Sequence, residues 1–135
     1  MQDQPHPSEV IGAVAEFLRS VVVPKADPLT SFQTRVAINA LEMMRRQLDL
    51  APAAEADEAT RLTALLGHDG GLEALNVELA AKIANGELDL ATPGLSEHLW
   101  ATTLAKLAVD QPSYAAYRAV LTQRGDPDIQ SNKKI

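Results

Sequence analysis

Apolar residues recur every three to four positions along nearly the whole chain, and no run alternates at every second position. That period lines up side chains on one stripe of a helix, whereas a half-buried strand needs a period of two. An all-α fold without a sheet is therefore expected. Composition points the same way. Ala and Leu dominate the apolar set and aromatic residues make up only 4%. Small and unbranched side chains lose little freedom in a helix. A chain of 135 residues has the size of one domain and buries about two-thirds of the surface its unfolded form exposes.

Pro and Gly punctuate the periodic stretches, and together they predict helices over 8–23, 28–50, 53–66, 71–85, 93–109 and 113–124. In the first, Val10, Val14, Phe17 and Val21 form a stripe that ends at Pro24. The second has two competing starts, Asp27-Pro28 and a Thr30/Gln33 capping box, and carries Phe32, Val36, Ala40 and Met43. Pro52 is expected to separate the second helix from the third. Gly67 to Gly71 breaks the chain again, and Asn85-Gly86 reads as a left-handed C-cap. The architecture expected is a single helical bundle over 1–125, with five main helices and a short C-terminal helix, followed by a disordered tail at 126–135. Phe17, Val36, Leu75, Leu79, Leu104 and Leu107 are the expected core.

Charge and cysteine usage exclude several functions. The net charge is −6, with 18 acids against 12 bases. Neutralising phosphates requires a surplus of Lys and Arg, so neither nucleic acid nor an anionic membrane surface is an expected partner. No cysteine is present, which removes disulfides, thiol catalysis and Cys-ligated metal. The start, Met1-Gln2-Asp3-Gln4-Pro5, lacks the basic and apolar regions of a signal peptide. A cytoplasmic location is expected.

No motif in the chain carries an evident chemistry. His6, His68 and His98 have no i, i+4 partner of the kind a helical zinc site needs. Neither metal nor cofactor is expected. The Gly67–Gly71 stretch could form an anion nest, but no Lys-Ser/Thr follows it and Asp69 would repel a phosphate. A C-cap and turn is the plainer reading. No serine or threonine lies in a nucleophile elbow, so catalytic residues are not assigned. Glu55 and Glu58 fall in a stretch that reads as a solvated face.

Two small groups of residues remain. Arg35 and Asn39 are four apart, beside Phe32, Val36, Ala40 and Met43. A guanidinium on an apolar stripe must meet an acid or carbonyls, since an unpaired buried charge is costly. Glu16, Glu42 and Asp110 are the candidate acids. Arg35, Asn39 and Asp110 thus form a candidate polar cluster, either an internal clamp or an anion-binding pocket. Tyr114 and Tyr117 form a candidate interaction surface or a flap over the core.

Five stretches in order carry a family likeness: Pro7 to Phe17 (PSEVIGAVAEF), Phe32 to Leu41 (FQTRVAINAL), Leu65 to Gly71, Gly86-Glu87-Leu88-Asp89, and Leu107 to Tyr117 (LAVDQPSYAAY). Together they resemble a family of small all-helical bacterial proteins of unknown function. Members are often encoded beside aminoglycoside-phosphotransferase-like kinases and acyl-CoA dehydrogenases. The resemblance implies an accessory role to such an enzyme, and supplies no catalytic residues. The leading expectation is a non-catalytic accessory or interaction protein, partnering a phosphotransferase-like or acyl-CoA dehydrogenase-like protein. The alternative is a binding module for an acyl carboxylate or phosphate, with its pocket around Arg35. Self-association into a homo-oligomer is open.

Overall fold

A computed structural model describes residues 4–124. The expected tail at 126–135 lies outside the described residues. Within them the fold is all-α, with no strand. Helix α1 spans Pro7–Phe17 and runs on through a π-helical segment, Leu18–Val22, and a 3-10 turn, Val23–Lys25. Helix α2 spans Pro28–Leu66, α3 Leu72–Ala84, α4 Leu95–Asp110 and α5 Ala115–Arg124.

Local chemistry sets the helix starts. Pro7 occupies the first turn of α1, and the Glu9 carboxylate accepts the His6 backbone N–H at 2.7 Å. Of the two competing starts for α2, Asp27 wins. Its Oδ1 accepts from the N–H groups of Leu29 and Thr30 at 3.0 and 3.1 Å. Bonding to Thr30 holds the Asp27 carboxyl below the usual carboxylate range.

The break expected at Pro52 does not occur. Helices two and three are one helix of 39 residues with Pro52 inside it. An interior proline removes one helical donor and costs about 3 kcal/mol or more. Ala51, Ala53, Ala54, Ala56 and Ala59 surround it, and Ala is the strongest helix former, so both flanks stay helical. The proline instead marks a seam. The chain divides into two compact units, Met1–Ala53 and Ala54–Ile135.

In the first unit α1 packs on the first part of α2 through small residues. Ala15 is fully buried, with Ser8 and Ile38 nearly so. A Cβ on Gly12 would sit 3.5 Å from Cδ of Arg45. A charge network closes the seam: Arg19 donates to Glu16 at 2.7 Å and to Glu42 at 3.0 Å, and Arg45 Nε donates to Glu42 at 2.9 Å. Burial pushes the Glu42 carboxyl up, but the hydrogen bond from Arg19 and the charge of Arg45 outweigh it and hold the group ionised.

The stripe expected to face the core does not. Val10, Val14 and Phe17 on α1, Val21 on the π-helical segment, and Leu29, Phe32 and Val36 on α2 are exposed. Phe17 and Val36 therefore leave the expected core, at 55% and 54% exposure. α1 is apolar on two sides, and the seam with α2 uses Ser8, Gly12 and Ala15. Small side chains let two helix backbones approach closely, and the large ones are turned away.

The second unit has the expected leucine core. Leu62, Leu75, Leu79 and Leu95 are buried together, with Leu65, Leu66, Leu72 and Leu88 packed around them. Leu104 is also buried, and Leu107 is half-buried. Gly67 takes a left-handed conformation (φ +82°) just after α2, and its N–H donates to the Thr63 carbonyl at 2.9 Å. The Gly67–Gly71 stretch thus ends α2 as a C-cap. Gly86 (φ +79°) ends α3 in the same way after Asn85.

Candidate functional site

Arg35 and Asn39 are both exposed, and Arg35 makes no hydrogen bond or ion pair among the described residues. This corrects the expectation of a buried Arg35. Ile38, not Val36, points into the seam, and Arg35 lies outside it. Two of its candidate acids, Glu16 and Glu42, pair with Arg19 instead. Asp110 is exposed at the end of α4, in the second unit, whereas Arg35 and Asn39 belong to the first. Tyr114 is half exposed, and Tyr117 is buried at 9% exposure.

A different pair of polar residues, Arg61 and His98, has buried unpartnered nitrogens in the second unit. Arg61 directly precedes the fully buried Leu62 on α2. Its Nε is buried and has no hydrogen-bond partner, and one terminal nitrogen reaches Thr102 Oγ1 only at 3.5 Å. No carboxylate forms an ion pair with it among the described residues. Glu58, one turn earlier, accepts instead from Asn76 Nδ2 at 2.8 Å.

His98 on α4 is 2% exposed, and its Nδ1 also lacks a partner. Burial lowers its pKa and the Arg61 charge lowers it further, against a smaller opposing effect of Glu58. The imidazole is therefore neutral near pH 7. His68 is its opposite. It is exposed, bonded to the Asp69 carbonyl and, through Nε2, to Glu78 at 2.9 Å. Those bonds raise its pKa.

Two open recesses flank Arg61. One, of about 320 Å³, lies among α2, α4 and α5 and includes Asp57, Leu104, Ala105, Tyr117 and Leu121. The other, of about 410 Å³, includes Ser96, Glu97 and Trp100. Arg61, Ala101 and Arg124 line both. Sequence reasoning missed Arg61 and His98. The signal was present: Arg61 is beside Leu62 and four residues before Leu65, and His98 is three after Leu95, so both share sides with core leucines.

The first unit contributes a surface of a different kind. Along the exposed stripe of α1 a shallow apolar groove of about 580 Å³ is lined by Pro5, Glu9, Val10, Ala13, Val14 and Phe17. Among the described residues no group of three His, Cys, Asp or Glu side chains is placed to hold a metal ion. No helix there is long and apolar enough to cross a membrane.

A family model described as a domain of unknown function, DUF6285, matches residues 24–114, more than half of the chain. The chain belongs to this family. The DUF6285 match takes in all of α2, α3 and α4, and with them Arg61, His98 and Trp100. No curated protein and no solved structure matches the chain significantly.

Proposed function

We propose that this protein is a non-catalytic accessory protein that binds a partner protein through the outer apolar stripe of α1. The observation that carries this reading is the exposure of Val10, Val14 and Phe17 on α1, with Val21 on the π-helical segment that continues it. A helix apolar on two sides is built to lie between two neighbours, and contiguous exposed apolar surface marks an interaction site. The partner surface this fits is an amphipathic helix that lays its own apolar side along the groove. The family likeness makes a phosphotransferase-like or acyl-CoA dehydrogenase-like enzyme the partner to test. The family likeness and the cysteine-free sequence extend the same proposal to a bacterial cytoplasmic setting.

The test is co-purification of the wild-type chain and Phe17→Asp with each of those two enzymes. Phe17 is exposed, so the charge should leave the circular dichroism spectrum and melting temperature unchanged. Capture by the wild type and its loss in the variant is the expected result. Equal capture by both, or by neither, overturns the reading. Sedimentation of the chain alone separates a second outcome. If the wild type is a dimer and Phe17→Asp a monomer, the stripe serves self-association and not a partner enzyme.

A further inference from the structure

Arg61 combines two properties that are costly together. A guanidinium is a charged donor that needs acceptors. Yet its Nε is buried with no acceptor, and the neighbouring carboxylate of Glu58 is engaged by Asn76. A buried guanidinium N–H left without an acceptor is costly, and an oxyanion that accepts from the guanidinium's N–H groups offsets this. Arg124 borders the same space, lining both recesses with Arg61. We infer that the groove shared by Arg61 and Arg124 binds a small organic monocarboxylate with an apolar body.

The lining defines that class. Ala101, Ala105, Leu104 and Tyr117 make one recess largely apolar, and Trp100 borders the other. A hydrocarbon body gains from such walls, and recesses of this size suit small ligands. The charge balance selects against phosphate. Asp57 lines one recess and Glu97 the other, so two arginines face two acids. A single negative charge is tolerated there, whereas a phosphate monoester, at about −1.5 to −2 near pH 7, meets more repulsion. The groove lies wholly within the second unit, so this inference is independent of the α1 stripe.

The chain supplies its own reporter, because Trp100 is its one tryptophan. Octanoate titrated into the full chain should change Trp100 fluorescence saturably, with a Kd of about 1 mM or tighter. Inorganic phosphate and 1-octanol over the same range should not. Arg61→Met keeps the bulk of the side chain and removes the charge. It should weaken octanoate binding at least about tenfold, the worth of one charge-assisted hydrogen bond, with the melting temperature held or raised. Should Arg61→Met fail to fold, the exposed Arg124→Gln and the groove-filling Ala101→Leu carry the test, each expected to weaken octanoate binding. No saturable change with octanoate overturns the inference. So does phosphate binding as well as octanoate, octanol binding as well as octanoate, or wild-type affinity in the charge variants.

Discussion

The two units answer the same problem, burying apolar side chains on helices, in opposite ways. The second unit gathers leucines from α2, α3 and α4 into one cluster, and buries the His98 side chain and the Nε of Arg61 without partners. The first has only two helical elements to work with. It buries the small Ser8 and Ala15 together with Ile38, and leaves Phe17, Phe32 and Val36 exposed. A pair of helices has one shared seam, and small residues there bring the backbones close. Large side chains on the far sides are covered only if something else arrives. The contrast teaches that apolar size is no guide to burial where a helix has two apolar sides.

The largest expected effect tests that contrast directly. Leu79→Ala should destabilise by roughly 2–5 kcal/mol, the cost of a cavity at an enclosed leucine. Phe17→Ala removes a larger side chain, yet should cost within about 0.5 kcal/mol as a surface change. Denaturant titration of both variants decides it. A large loss at Phe17 would mean that its stripe is covered, and the contrast between the units would collapse.

Next in size is Ala15→Leu. Ala15 is fully buried in the α1–α2 seam, and overpacking a close helix contact costs roughly 1–3 kcal/mol. If stability is unchanged, the seam has room and close approach is not what holds the first unit together.

The smallest effect concerns pH and sharpens the picture of the second unit. His98 has a pKa below its ordinary 6.5 in the fold. Once the pH is below that ordinary value the unfolded chain binds the proton more readily than the native one. The stabilising contribution of neutral His98 is therefore present above about pH 6.5 and declines as pH falls toward the folded pKa. His68 has the opposite sign: its raised pKa favours the folded form at low pH, and that contribution is lost as pH rises through the folded value. NMR titration of the two imidazoles should give midpoints on opposite sides of 6.5. A His98 midpoint at or above the ordinary value would show that its ring reaches water or an acid, and that the buried polar cluster is misread.

Much of the fold was legible in the chain. The helical class, the Asp27 start of α2 and the Asn85-Gly86 end of α3 follow from residues within one turn of each other. So does the short C-terminal helix. The candidate site was legible only in kind. A buried arginine was expected at Arg35, which is exposed; the arginine with a buried Nε is Arg61, and that Nε has no acceptor. Both arginines lie on α2 among apolar residues, and the packing makes Leu62, beside Arg61, core while Val36, beside Arg35, is exposed. Tyr117 was read as a flap over the core, and it is buried beside the recess that Arg61 lines.

What the sequence by itself determined is what depends on near neighbours: which segments are helical, where Asp27 and Pro7 begin them, and where Gly67 and Gly86 turn the chain. Caps and turns are settled by hydrogen bonds and φ angles spanning a few residues, so their signals are local and strong. The tertiary structure alone decided which of two apolar stripes on α1 is buried, that α2 continues through Pro52, and that the Nε of Arg61 is buried while Arg35 is exposed. Burial is a property of what arrives from distant parts of the chain. The helical period is the same for a stripe that meets Ile38 and for one that meets water.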